Sequence, residues 1–138
     1  MGADLAGVSK LIYPTNVRTI HVMCTAMINP SLIFESLFYG ADGVLIAGCH
    51  EQDCHYQEGF IKAKTRYESI REMLIEAGIN ENRVKIASIS AGEGEKYAKV
   101  IKEFKEQIEN LGPIQPQEYI KPPSAKKPVK DKAKLDEL

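Results

Sequence analysis

The sequence predicts an α/β domain: a three-layer, Rossmann- or flavodoxin-like parallel sheet with right-handed βαβ crossovers. Strand-like runs alternate with helix-period segments three times between residues 17 and 111. One of those runs, GVLIAG (43–48), is almost wholly apolar, as a central parallel strand covered on both faces should be. Helix start and stop signals fall between the segments rather than inside them.

The elements follow in order. VRTIHVMC (17–24) alternates apolar and polar residues with β-branched content, and reads as a first strand. Asn29-Pro30 supplies an N-cap followed by proline at the first helical position. PSLIFESLFY then sets Ile33 below Leu37 and Phe34 below Phe38, and Gly40 ends that helix. After GVLIAG and a polar loop, a long helix is expected over about 59–77, striped by Tyr67, Ile70, Leu74 and Ala77 and closed by Gly78. VKIASIS (84–90) is the next strand, and Ser90 and Glu93 have capping-box spacing. Tyr97, Val100, Ile101, Phe104, Ile108 and Leu111 recur at steps of three and four along the last helix, which Gly112-Pro113 stops.

Two segments lie outside this pattern. DLAGVSKLIYP, near the start, looks like part of a helix that has lost whatever preceded it. From Pro113 onward, five prolines and six lysines fall among few apolar residues. Such a segment cannot bury enough surface to offset its ordering entropy, so a folded domain over 1–112 and a flexible tail over 113–138 are expected.

Composition narrows the function. A net charge of −1 gives no basic surplus for neutralising phosphates, so nucleic acid is not an expected partner. No apolar run reaches the length of a membrane span, and Met1 is followed by GADLAGVSK rather than a secretory signal. A cytoplasmic protein is therefore expected, with no membrane contact. Three cysteines, an odd number without a secretory route, argue for free thiols or ligands rather than a disulfide framework.

GCHEQDCHY (48–56) concentrates the chemistry. It holds Cys49, Cys54, His50 and His55, four of the chain's six cysteines and histidines. Cys24 ends the first expected strand and Cys49 ends the second. In a parallel sheet both ends lie on the same rim, where such folds bind ligands. Cys54 sits in the loop leaving that rim, so all three thiols can converge. A buried structural role competes for Cys24, since free cysteine is among the most buried residue types. Cys49 and Cys54 flank a polar loop, which points to a metal or redox role. Their spacing occurs among iron–sulfur ligands but is not the C-x-x-C of thiol oxidoreductases. His50 and His55 suit either direct ligation or hydrogen bonding beside a ligand. His21, mid-strand, reads as structural and Asp53 as a turn or cap residue. The glycines form no G-x-G-x-x-G fingerprint, so no dinucleotide site is expected.

GADGVLIAGCHEQDCHYQEGFIKAKTRYESIREMLIEAGI, followed by ISAGEGEKYAKVIKEF, closely resembles the delta subunit of methyl-viologen-reducing hydrogenase. The similarity covers roughly residues 2–112 and rests on the G-C-H-x-x-D-C-H-Y loop. The resemblance implies an electron-transfer subunit of methanogens and some anaerobic bacteria, itself without a catalytic site. It would carry electrons through a 2Fe-2S cluster from a hydrogenase or formate dehydrogenase to the flavin subunit of heterodisulfide reductase. Carried over by position, Cys24 corresponds to the cysteine ending the family's V-M-C strand and Cys49 and Cys54 to its loop pair, and all three are expected as cluster ligands.

The chain departs from the family pattern in two places. The family begins with a strand ending in adjacent cysteines, then a turn into a helix, and this chain starts inside that turn at MGADLAGVSK. After Cys24 the family usually continues Ser-Gly-Arg, where this chain has Thr25-Ala26-Met27. A 2Fe-2S cluster takes four ligands and three cysteines are present. A gene start misplaced downstream of the true one is the expected explanation. The alternatives are a fourth ligand from His50 or His55, or a structural zinc or cluster-less scaffold module in the same kind of complex.

Overall fold

Two parallel strands, β1 (Val44–Gly48) and β2 (Val84–Ser88), run side by side with Val44 opposite Val84 and Gly48 opposite Ser88. They form the sheet of the computed structural model, which describes residues 2–114. Four helices pack around it: α1 (Gly2–Val8), α2 (Pro30–Phe38), α3 (Gly59–Glu76) and α4 (Gly94–Leu111). The Pro- and Lys-rich tail expected from 113 onward lies, from residue 115, outside the described residues.

The period-2 alternation of the strands divides the core into two layers. Ile46 and Val84 face α2 and α3, where they pack with Ile33, Leu37, Ile70 and Leu74. Leu45 and Ala87 face the other way, onto Ala6, Ile89, Tyr97 and Ile101. Helix, sheet, helix is the layering of an α/β domain, as the sequence predicts.

The helix boundaries obey local chemistry. Asn29 caps α2, its side-chain oxygen accepting the Ser31 N–H at 3.0 Å. Gly40 and Gly78, at φ +101° and +72°, end α2 and α3 in the left-handed conformation that allows the last carbonyls to be satisfied. The first helix stops sooner than its sequence suggests. Lys10 turns left-handed at φ 54°, and Leu11 N–H donates back to Ala6 C=O at 2.9 Å, so residues 11–14 leave the helix.

Three expectations need correction. The segment 17–24 is not a strand. Among the described residues it has no ladder partner, and without one its alternating pattern buries little: Ile20 and Met23 are 66% and 71% exposed. The β1 strand is not covered on both faces either. Ala47 is exposed, because α1 and α4 cover the sheet around Leu45 and leave its carboxyl end open. On α3 the stripe begins earlier than expected, with Phe60 and Ala63 buried, while Ala77 at its far end is exposed.

Arg83 closes the foot of the sheet. It is 7% exposed, and its guanidinium donates to the carbonyls of Asp42 at 2.9 Å and Gly112 at 3.0 Å. This ties the start of β2 to the start of β1 and the end of α4. The opposite end of the sheet is left to the loops that carry the cysteines.

Candidate thiol site at the carboxyl edge of the sheet

Cys49 directly follows Gly48, the last residue of β1. Its loop is anchored on both sides. Ile89 N–H donates to Gly48 C=O at 2.6 Å, and His50 Nε2 lies 2.8 Å from Glu93 Oε2. The same carboxylate oxygen accepts the Ser90 N–H at 2.7 Å. The capping-box spacing therefore forms only its return arm, with Glu93 reaching back to Ser90, and it acquires a second use in holding His50.

Cys24 enters the site from the chain preceding α2. It caps a short 3-10 turn, Thr25–Met27, its sulfur accepting the Ala26 N–H at 3.5 Å. Arg66 of α3 fastens this turn by donating to the carbonyls of Ala26 and Ile28, both at 2.7 Å. Thr25 beneath it is 5% exposed, and its hydroxyl makes no hydrogen bond.

Cys54 closes the polar loop just before α3. The short turn Glu51–Asp53 precedes it, and Gln57, at φ 62°, bends the chain into the helix. Gly59 makes room for the sulfurs. A methyl group there would lie 2.5 Å from Cys24 Sγ and 3.2 Å from Cys54 Sγ. Two cysteines thirty positions apart in sequence thus share one glycine as a wall.

The thiols also feel one another. Burial pushes the Cys49 thiol up, and its hydrogen bond to Cys54 and the proximity of Cys54 and Cys24 add to this. Cys54 goes the other way. Its sulfur receives the backbone N–H of Phe60, with those of Tyr56 and Gly59 contributing, and is held below the ordinary thiol range. That is the effect of unpaired donors at a helix N-terminus on a sulfur anion. All three cysteines are free and half-buried.

The three cysteines expected at one rim are thus neighbours. The histidines separate. His50 faces Glu93, His55 is exposed with its ring edge-on to Tyr56 at 5.1 Å, and His21 is exposed. Among the described residues, no three His, Cys, Asp or Glu side chains close on one point as a mononuclear metal site requires. Beside the loop opens a cleft of about 610 Å³, lined by His50, Asp53, Phe60, Lys64 and Ser88 among others. Lys64 is ion-paired with Glu51 and lies 5.5 Å from the Phe60 ring centre.

Three contributors are not legible as such in the sequence. Gly59 carries a weak signal, a glycine at the start of a long helix, where propensity disfavours it. Glu93 is visible only as a capping residue. Arg66 looks like any helix-surface arginine, because its target carbonyls lie forty and thirty-eight positions away.

The family described as methyl-viologen-reducing hydrogenase, delta subunit, matches residues 1–112. An F420-non-reducing hydrogenase iron-sulfur subunit from Archaeoglobus profundus is 44% identical over 112 residues, covering 81% of this chain and 82% of that protein. The vhc iron-sulfur subunit of the F420-non-reducing hydrogenase of Methanococcus voltae is 45% identical over 112 residues, 81% of this chain and 78% of its own length. One of the subunits of the ferredoxin:CoB-CoM heterodisulfide reductase of Methanosarcina mazei is 46% identical over 112 residues, 81% of this chain. The match spans only 14% of that much longer protein. No helix among the described residues is long and apolar enough to cross a membrane. With its cysteine loop at the sheet edge and a match running from residue 1 to 112, the chain belongs to the methyl-viologen-reducing hydrogenase delta-subunit family.

Proposed function

We propose that this chain is a cytoplasmic electron-transfer subunit. It carries electrons through a 2Fe-2S cluster from a hydrogenase or formate dehydrogenase to the flavin subunit of heterodisulfide reductase. Cys24, Cys49 and Cys54 hold the cluster. The supporting observation is the shared sulfur wall at Gly59, where Cys24 and Cys54 meet, with Cys49 at the adjoining end of β1.

The residues present suit such a group. A two-iron cluster divides its ligands between two metal atoms, so it needs thiols that share a patch rather than a point. The thiols are half-buried, which limits solvent access, and the start of α3 beside Cys54 holds its thiol below the ordinary range. Such donors stabilise thiolates and tune a cluster towards easier reduction. When bound, the cluster supplies one-electron chemistry. The protein's own part is to fix the thiols and exclude competing reactions. Relatives named as hydrogenase iron-sulfur subunits and as part of a heterodisulfide reductase support the choice of partners.

A structural zinc or cluster-less scaffold is the second reading. His50, held by a carboxylate, has the outer partner that metal-bound histidines usually have, although a Cys3His set would need the thiols and His50 to draw together further than they do here. Anaerobic reconstitution with iron and sulfide separates the two. Two irons and two sulfides per chain, with an EPR signal after one-electron reduction, are expected for the first. A colourless protein under full loading, with stoichiometric zinc and no sulfide when purified from its own cells, would overturn it.

A further inference from the structure

Cys49 lies between two tethers to the same segment of chain. On its N-terminal side, the Gly48 carbonyl is held by Ile89 N–H at 2.6 Å. On its C-terminal side, the His50 ring is held by Glu93 at 2.8 Å. Glu93 is itself fixed, because its Oε2 accepts the Ser90 N–H at 2.7 Å and its Oε1 lies 3.5 Å from Lys96 Nζ. An ionised carboxylate only accepts, so the shared proton sits on His50 Nε2. The first tether is main chain to main chain and any residue could make it. The second depends on two particular side chains.

Helix capping alone does not account for Glu93. It stands at the N-cap of α4, yet its side chain makes no cap bond to that helix. It turns back to the β2–α4 loop and across to the β1 loop instead.

We propose that Glu93 is a positioning residue for Cys49, acting through His50. The pair forms a clamp that fixes the backbone on the C-terminal side of the thiol and so sets where Cys49 Sγ sits relative to Cys54. Its functional meaning rests on the reading of Cys49 as a cluster ligand, since a ligand set must be pre-positioned to bind a cluster in one geometry.

The test uses the full 138-residue chain. Iodoacetamide labelling of the metal-free, reduced protein is followed at each cysteine by mass spectrometry. Glu93→Ala and His50→Ala should each raise the Cys49 rate several-fold and leave the thermal midpoint of His50→Ala near wild type. The double variant should be no faster than Glu93→Ala alone, because the His50 contact is already broken there. Glu93→Gln should stay within about twofold of wild type, since its amide oxygen still accepts from Ser90 and His50 while the charge is gone. After iron and sulfide loading, the reduced EPR spectrum should change in Glu93→Ala and not in Glu93→Gln.

Unchanged Cys49 labelling in Glu93→Ala and His50→Ala would overturn the proposal. So would additive effects in the double variant, a Gln variant behaving like Ala, or equal acceleration at all three cysteines. If the wild-type chain takes up no cluster, the proposed function fails, and the labelling rates still decide the clamp.

Discussion

Gly59 backs onto Cys24: any side chain at this position would meet the Cys24 sulfur at 2.5 Å. The contact joins the start of α3 to a cysteine from a different part of the chain, and Cys54 lies against the same glycine at 3.2 Å from that point. Gly59→Ala should therefore separate helix chemistry from site chemistry. Alanine is the better helix former by about 1 kcal/mol, while crowding in a packed site costs about 1–3 kcal/mol. Helix content by circular dichroism should be unchanged, and iron and sulfide uptake should fall several-fold. Full uptake in Gly59→Ala would mean the thiols are not confined as the geometry requires.

Arg66 holds the Cys24 turn to α3 with two 2.7 Å bonds to carbonyl oxygens. Arg66→Met keeps most of the stem and removes the guanidinium. Loss of hydrogen bonds from a charged donor should cost about 1.5–3 kcal/mol, read from urea unfolding. Cys24 should label faster than in wild type, and Cys49, held from β2 and α4, should change little. Equal acceleration of both would show that the turn is not an independent unit.

Arg83 offers the opposite control, because its bonds to Asp42 and Gly112 lie at the far end of the sheet from the thiols. Arg83→Met should destabilise the fold by about 2–3 kcal/mol, as buried carbonyls lose their donor. Where the variant remains folded, iron uptake should match wild type. Loss of uptake below the unfolding transition would contradict the separation of foot and rim.

The Thr25 hydroxyl is buried without a hydrogen-bond partner, next to Cys24. Thr25→Val keeps the shape and removes the desolvated group. Metal-free protein should gain about 1 kcal/mol in denaturant unfolding. A loss of stability would mean that the hydroxyl is paired in solution.

Glu93 sits below the usual carboxylate range, first because Ser90 N–H donates to it and then because His50 does. A depressed folded-state value means its contribution is present above the unfolded value and is lost as the pH falls through the folded one. Wild type should exceed Glu93→Gln in thermal midpoint near neutral pH, and the gap should close on acidification below the ordinary carboxylate range. A gap that persisted in acid would assign the effect to shape rather than charge.

The sequence alone determined the α/β class, α2 through α4, both strands and the rim that gathers the cysteines. These follow from short-range causes: apolar periodicity, the Asn29 cap, the glycine stops at 40 and 78, and the rule that parallel strands end on one edge. It also pointed to Cys24, Cys49 and Cys54 as neighbours, although VRTIHVMC turned out to be no strand. A strand exists only when another lies beside it, and no local pattern can say whether one does. Tertiary structure alone decided that Gly59 walls two sulfurs, that Arg66 clasps the Cys24 turn, and that Glu93 reaches past its own helix to His50. Those contacts join residues far apart in sequence. Their partners are carbonyls, sulfurs and an imidazole brought within hydrogen-bonding range only after the helices have packed on the sheet.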